Sequence, residues 1–177
     1  MTKKPFLSVI IPTYNRTGVL LRHLRELQHQ TLSPSHFEVI VVNDGGEMFI
    51  VPAPPLGKTY GFPIKIIEQD NAGPATARNT GARAAQGDVL LFVGDDCLAD
   101  HNLLFYHWQA HYLSERRVAV QGYTDWHPDI PPDSFHYFLT EKSGLQANWS
   151  ILKNADGTYD FEIVVESDLQ MGGVTIT

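Results

Sequence analysis

The chain reads as an α/β domain, a mostly parallel sheet flanked by helices. Three observations predict it. Short runs of β-branched and aromatic residues recur, among them Ser8-Val9-Ile10-Ile11 and Val89-Leu90-Leu91-Phe92-Val93. They are apolar almost throughout rather than alternating, as strands covered on both faces are. Segments with helical spacing lie between them, and such alternation builds parallel strands joined by right-handed crossovers.

The elements follow in order. Residues 7–11 form a first buried strand ended by Pro12, and Thr13-Tyr14-Asn15-Arg16 a loop. Leu20, Leu24 and Leu27 predict a helix, with Thr17 as its cap and Thr31-Leu32-Ser33-Pro34 as its stop. Residues 37–42 are a second strand, closing on Asn43-Asp44-Gly45-Gly46. The stretch 47–63 is rich in Pro and Gly and reads as a loop before a short third strand at 64–67. Asn71-Ala72-Gly73-Pro74 opens a helix over 75–86 whose small residues allow close packing on a sheet, and Gly87 ends it. The fourth strand, 89–93, is expected to be buried on both faces. Leu103, Leu104 and Trp108 predict another helix, and residues 118–120 with Tyr123 and Trp126 a further strand. Beyond Trp126 the pattern degrades: 125–132 holds three prolines, and residues from 153 onward show no clear period. The strand-like Val174-Thr175-Ile176-Thr177 at the chain end predicts a truncated chain.

Composition narrows the functional classes. At 177 residues and 43% hydrophobic, the chain is long and apolar enough for a packed core and unlike a disordered segment. A net charge of −7 argues against non-specific nucleic-acid binding, which needs a basic face. It leaves phosphate ligands open, because a bound cation inverts the local charge logic. The lone Cys97 forms no internal disulfide, which fits a reducing compartment, and its acidic neighbours favour an inert packed thiol. The apolar stretch at 6–11 is too short for a signal-peptide core or a span, and no later run reaches spanning length. The expected location is cytoplasmic, with peripheral membrane association left open.

Three strand ends share one rim: Pro12-Thr13-Tyr14, Asn43-Asp44 and Asp95-Asp96. Two adjacent carboxylates at the end of a buried strand are costly unless something cationic meets them. That edge is also where open α/β sheets bind ligands. Carboxylates suit Mg²⁺ or Mn²⁺, which usually also takes substrate phosphate. Asp95 and Asp96 would point to opposite faces of a continuing strand, and Gly94 is expected to give the backbone freedom to converge them. Asp44 is either an Asx-turn residue or an acceptor for the N–H of a base such as uracil. Tyr14 packs at a strand end or stacks on a base. Arg78 and Arg83, five apart, point in different directions, and Arg78 is the better phosphate partner.

Other features are set aside. Gly57-Lys58-Thr59 imitates the end of a Walker loop, but the required earlier glycine is Pro52, and no dinucleotide fingerprint follows the first strand. His107 and His111 have zinc-ligand spacing without an intervening Glu or an evident third ligand, so surface or packing roles are favoured.

Taken together, the segments resemble family-2 glycosyltransferases of the GT-A fold. The resemblance is carried by SVIIPTYNR from Ser8, FEVIVVNDGG from Phe37, NAGPATARNTGARAAQGD from Asn71 and VLLFVGDDCLAD from Val89. It runs from the start to about His111 and stays traceable through residues 120–126. It implies a GT-A, Rossmann-like sheet, a nucleotide-sugar donor, most often UDP-linked, and a divalent cation, Mn²⁺ or Mg²⁺. It further implies inverting transfer of a hexosyl or related group to an acceptor hydroxyl on a saccharide, a lipid-linked molecule or a protein. Pro12, Thr13 and Tyr14 would line the nucleoside pocket, Asp44 would bind the base, and Arg78 would lie in the helix bordering the donor. Residues 1–126 would then be the donor-binding unit and 127–177 the incomplete start of an acceptor-side region.

There are two departures from the family pattern. The motif usually reads Asp-x-Asp, and its first Asp is here Gly94, leaving Asp96 as metal ligand and Asp95 for the ribose or a water-mediated metal contact. The acceptor half normally supplies a carboxylate base, for which Asp168 and Glu166 are weak candidates. The expectation is therefore a chain that binds donor, transfers sugar poorly on its own and tends to self-associate through uncovered apolar surface. A rival reading is a non-catalytic nucleotide-sugar-binding module. A receiver-like phosphoacceptor domain would need an acidic pair after the first strand, where this chain has Pro12-Thr13-Tyr14.

Overall fold

The computed structural model describes residues 4–47, 59–114, 118–122, 133 and 163–164. At its centre lie β1 (Leu7–Thr13) and β2 (Phe37–Asn43), in which every residue except Pro12 is buried. Such strands need cover on both sides, and the chain provides it with one helix layer on each face. Odd-numbered residues Leu7, Val9, Ile11, Val39 and Val41 join Leu20, Leu24 and Leu27 of α1 (Thr17–Leu27) and Leu103 and Leu104 of a later helix in the larger core. Even-numbered Ile40 and Val42 meet Ala77 of α2 (Pro74–Ala84) on the other face.

Four parallel strands form the sheet in the order β3-β2-β1-β4, with β3 at Ile64–Glu68 and β4 at Val89–Phe92. The chain adds β2 and β3 to one side of β1, then crosses through α2 to lay β4 on the other. The direction of strand addition thus reverses beside β1. In open α/β sheets the crevice at such a reversal, at the C-terminal ends of the strands, is the ligand site. Helix α3 (Leu103–Leu113) follows, then Ala119–Val120 (β5), paired in parallel with Ile163–Val164 (β6).

Several local expectations need correction. Thr17 does not cap α1. The Arg16 carbonyl already accepts the Leu20 N–H at 3.0 Å, which makes Thr17 the first helical residue. Helix α2 stops at Ala84 rather than running to Gln86. The Gln86 N–H is taken by the Glu38 carboxylate at 2.6 Å and the Gly87 N–H by the Ser8 hydroxyl at 2.8 Å, so Ala85 turns extended. The Ser8 hydroxyl also donates to Glu38 at 2.7 Å, which satisfies a carboxylate buried in the central strand. Strand β4 is not buried on both faces: Leu90 and Phe92, in register with Ser8 and Ile10 on the face that α2 covers over β1 and β2, are only half-buried. The expected loop at 47–63 ends in core, with Tyr60 and Phe62 buried and Phe62 against Phe37. Pro52, Gly57 and Lys58 lie outside the described residues, as do Tyr123, Trp126 and the strand expected at 174–177.

The small-residue character of α2 has a direct cause. A Cβ at Gly81 would sit 2.4 Å from Ile10 Cγ2 and 3.3 Å from Val42 Cγ2, so the helix can approach β1 and β2 only without one. Alanine in a helix interior normally gains about 1 kcal/mol over glycine. Here overpacking, at about 1–3 kcal/mol, outweighs that gain. Gly81→Ala is therefore expected to lower unfolding free energy by about 1–2 kcal/mol, read as a lower urea midpoint. A higher midpoint would mean that α2 does not sit this close.

Candidate functional site

The reversal in strand order brings the end of β1 against the segment after β4. The Val93 N–H still donates to the Ile10 carbonyl at 3.1 Å, carrying the β1 ladder one residue past β4 and delivering Asp95 to the level of Thr13. There the Thr13 hydroxyl donates to Asp95 Oδ2 at 2.8 Å across the seam. Asp95 is buried, at 4% exposure, whereas the Asp96 side chain is 59% exposed. Arg16 serves both: its Nη1 lies 2.9 Å from Asp96 Oδ2 and 3.5 Å from Asp95 Oδ1. The hydrogen bond to Asp96, and then the charge of Asp95, raise the Arg16 pKa further above its ordinary value.

Gly94 plays a different part from the one expected. It does not use left-handed backbone. A Cβ on it would lie 2.8 Å from Asp96 Oδ1, so its bareness leaves room for the Asp96 carboxylate. The two carboxylates do converge, and the group on which they converge is Arg16. Sequence reasoning missed that residue. The requirement for a cation beside two adjacent carboxylates was legible, and an arginine three residues past Thr13 on the same rim meets it.

Asp44 caps β2, held by its own N–H to the Thr13 carbonyl at 2.8 Å. Its side chain is no local turn device. Oδ1 accepts from Gln69 Nε2 at 2.6 Å and the Ala72 N–H at 3.0 Å, and Oδ2 from the Gly73 N–H at 2.8 Å. All three donors lie on the approach to α2, so Asp44 pins that approach to the rim. A carboxylate accepts about four hydrogen bonds, which leaves one lone pair on Oδ2. Beside it, Asn15 adopts φ 53° and its Oδ1 accepts the Glu47 N–H at 2.8 Å. Gly46, at φ 79°, has no space for a side chain there, since a Cβ would come within 2.0 Å of that oxygen.

Tyr14 is 48% exposed at the rim and Pro12 half-buried beside it. Tyr14 makes no ring contact among the described residues, which leaves its face open for stacking. Arg78 is exposed in the second turn of α2 and forms no ion pair among the described residues. Arg83 donates to the Thr80 hydroxyl at 3.2 Å. Asp168 and Glu166 lie outside the described residues.

Among the described residues no group of three or more His, Cys, Asp or Glu is placed to hold a metal. His107 is fully buried, and burial, then the neighbouring His111, pushes its pKa down to about 3. A protein-built cage is therefore not what the rim offers. Mg²⁺ and Mn²⁺ commonly take one or two carboxylates and complete their shells with water and substrate phosphate. An exposed Asp96 beside Asp95 fits that donor set. Behind them, the His23 ring is fully buried and pairs through Nδ1 with the Cys97 carbonyl, tying α1 to the acidic segment. Burial lowers the His23 pKa and raises that of the Cys97 thiol, so both groups stay neutral.

A doubly covered parallel sheet with carboxylates gathered at its reversal point defines a GT-A-type α/β domain. The family model for glycosyl transferase family 2 matches residues 8–137, and the chain belongs to that family. It is 42% identical over 91 residues to an uncharacterized glycosyltransferase of Haemophilus influenzae, covering 51% of this chain and 29% of that protein. Staphylococcus aureus TarS, residues 1–349, solved with UDP-GlcNAc, matches with a TM-score of 0.58 and 24% identity, over 73% of this chain and 37% of that one. The mannosyltransferase PcManGT of Pyrobaculum calidifontis, solved with GDP-Man and Mn²⁺, matches with a TM-score of 0.56 and 21% identity, over 70% and 37%. At these identities the two structures support the fold. The chain spans about a third of the length of these relatives. Among the described residues no helix is long and apolar enough to cross a membrane.

The buried histidines set a pH dependence. A ring whose pKa is lowered by folding binds fewer protons folded than unfolded once pH drops below the unfolded value of about 6.5. Stability is therefore complete above that pH and is lost as pH falls. For His107 the loss continues to about pH 3, at up to about 1.4 kcal/mol per pH unit. Urea denaturation at pH 7 and pH 5 should show the drop, and His107→Leu should flatten it. A slope unchanged by that substitution would mean that His107 is not buried neutral.

Proposed function

We propose that this chain is the donor-binding part of a metal-assisted, inverting glycosyltransferase that takes a UDP-linked sugar. The observation that carries this reading is the placement of Thr13, Asp44, Asp95 and Asp96 at adjoining strand ends on the sheet's rim, linked by the Asp44–Thr13 and Thr13–Asp95 hydrogen bonds. TarS, solved with UDP-GlcNAc, supports the choice of donor class, and PcManGT, solved with Mn²⁺, the choice of cation. Residues 1–126 are assigned to the donor and 127–177 to the acceptor side. The proposed location is cytoplasmic, where such donors are available.

Each residue has a proposed role. Tyr14 stacks on the base, with Pro12 and Thr13 shaping the nucleoside pocket. The remaining Oδ2 lone pair of Asp44 accepts the uracil N3–H. Arg78 faces the donor's phosphates, a suitable partner for a planar guanidinium fork. Asp96 holds the cation directly, and Asp95, fixed by Thr13, meets the ribose or reaches the cation through a water. The cation, when bound, supplies Lewis-acid stabilisation of the charge that develops on the leaving diphosphate. Inversion further requires a carboxylate to deprotonate the acceptor hydroxyl for attack on the opposite face, a role for which Asp168 and Glu166 are the candidates.

A non-catalytic binding module is the second reading, favoured by Gly94 at the first acidic position and by Arg16 on the carboxylates. Donor hydrolysis by a version of full family length distinguishes the two. Calorimetry tests the shared donor site. UDP should bind more tightly with Mn²⁺ than with excess chelator, and Asp96→Asn should abolish the difference; equal affinities in the wild type would remove the metal from the reading. Asp44→Asn should weaken UDP binding by about ten- to a hundred-fold, the worth of one charged hydrogen bond, and blur discrimination against CDP. Unchanged preference would leave Asp44 with only its anchoring role.

A further inference from the structure

The position of Arg16 shows more than charge neutralisation. Its guanidinium occupies Asp96 Oδ2 at 2.9 Å and faces Asp95 Oδ1 at 3.5 Å, the same oxygens that a divalent ion on this rim would approach. The Thr13 hydroxyl holds the other oxygen of Asp95. The oxygen of Asp96 not bonded to Arg16 lies on the Gly94 side, where a Cβ would come within 2.8 Å. A hard cation arriving alone therefore meets a pair of carboxylates whose accessible face already carries a positive charge.

We propose that Arg16 is a resident counter-cation that makes metal binding conditional on the donor. It competes with the divalent ion for Asp96 until a diphosphate arrives and draws the guanidinium away. This inference rests on the donor-site reading above.

Arg16 is half-exposed, its side chain at 52%, and Asp96 at 59%, so their pair is solvent-screened and exchangeable. Arginine presents a planar fork that matches phosphate as well as carboxylate, so a diphosphate on the same rim is a better partner for it than one carboxylate. The Arg16 backbone, whose carbonyl begins α1, can stay in place while the side chain moves. The exchange separates two charge states. Without donor, Arg16 offsets one of the two negative charges of the acidic pair; with donor, the divalent cation offsets part of the charge that Asp96 and the diphosphate carry together.

The test is titration of the 177-residue chain with Mn²⁺, with and without UDP, read as the loss of the free-ion paramagnetic resonance signal beyond that caused by the same UDP without protein. Arg16→Gln should bind Mn²⁺ without UDP about two- to five-fold more tightly than the wild type, as removal of one exposed competing charge implies. The enhancement of Mn²⁺ binding by UDP should shrink correspondingly. Arg16→Lys, which keeps the charge, should retain most of the wild-type dependence, and equal thermal midpoints confirm that both variants are folded. Equal Mn²⁺ affinity of wild type and Arg16→Gln without UDP overturns this inference and leaves the donor site standing if UDP still enhances the metal. Absence of Mn²⁺ binding by the wild type even with UDP overturns the donor-site reading and this inference together.

Discussion

A carboxylate buried at a seam between two strands is the constraint to which the rest of this rim answers. Asp95 reaches that position because β4 joins β1 on the side opposite β2, and the Val93–Ile10 hydrogen bond carries the ladder one residue past β4. Isolated in low dielectric, such a charge would be untenable. The Thr13 hydroxyl and the Arg16 guanidinium make it tenable, and both come from the end of β1 and the loop directly after it. One short stretch of chain therefore carries the strand, the hydrogen-bond donor and the countercharge. His23, further along the following helix, braces the same acidic segment through the Cys97 carbonyl.

The opposite end of the sheet is built by a different means. Ser8, Glu38 and the N–H groups of Gln86 and Gly87 form a closed hydrogen-bonded knot that ends α2 and sets the start of β4. Each polar group there has a protein partner, and nothing in it calls for a ligand. At the rim, by contrast, Tyr14 offers an open face, Asp96 is largely exposed, and Asp44 keeps a lone pair. The two ends of the same strands differ in whether their polar groups are already satisfied.

The amino-acid sequence disclosed most of the scaffold. Uninterrupted apolar runs at β1 and β2 need cover on both faces, and the Leu20, Leu24, Leu27 spacing supplies one covering stripe, so existence and type of these elements follow from local pattern. What escaped were features set by distant partners. The end of α2 depends on Glu38 and Ser8, far earlier in the chain. The half-burial of β4 depends on where α2 lies, over β1 and β2. At the rim, the placement of Thr13, Asp44 and the acidic pair on one edge was legible from strand ends alone, whereas the Arg16 bridge required knowing that β4 lies next to β1 and not beyond β3. Residues 166 and 168 lie outside the described structure, and their roles rest on sequence.

Asp44 carries a further consequence, for how such a protein can change over time. The carboxylate proposed to read the base is also the acceptor that fastens Gln69, Ala72 and Gly73, and through them the start of α2. A substitution that altered base preference would strand backbone N–H groups near the rim, at about 1–3 kcal/mol for each one left buried and unpaired. On that proposal, selectivity and architecture share the same two oxygen atoms. A lineage could vary the sugar or the acceptor through residues elsewhere, while a change of nucleotide would demand compensating mutations in the 69–73 segment before it could be tolerated.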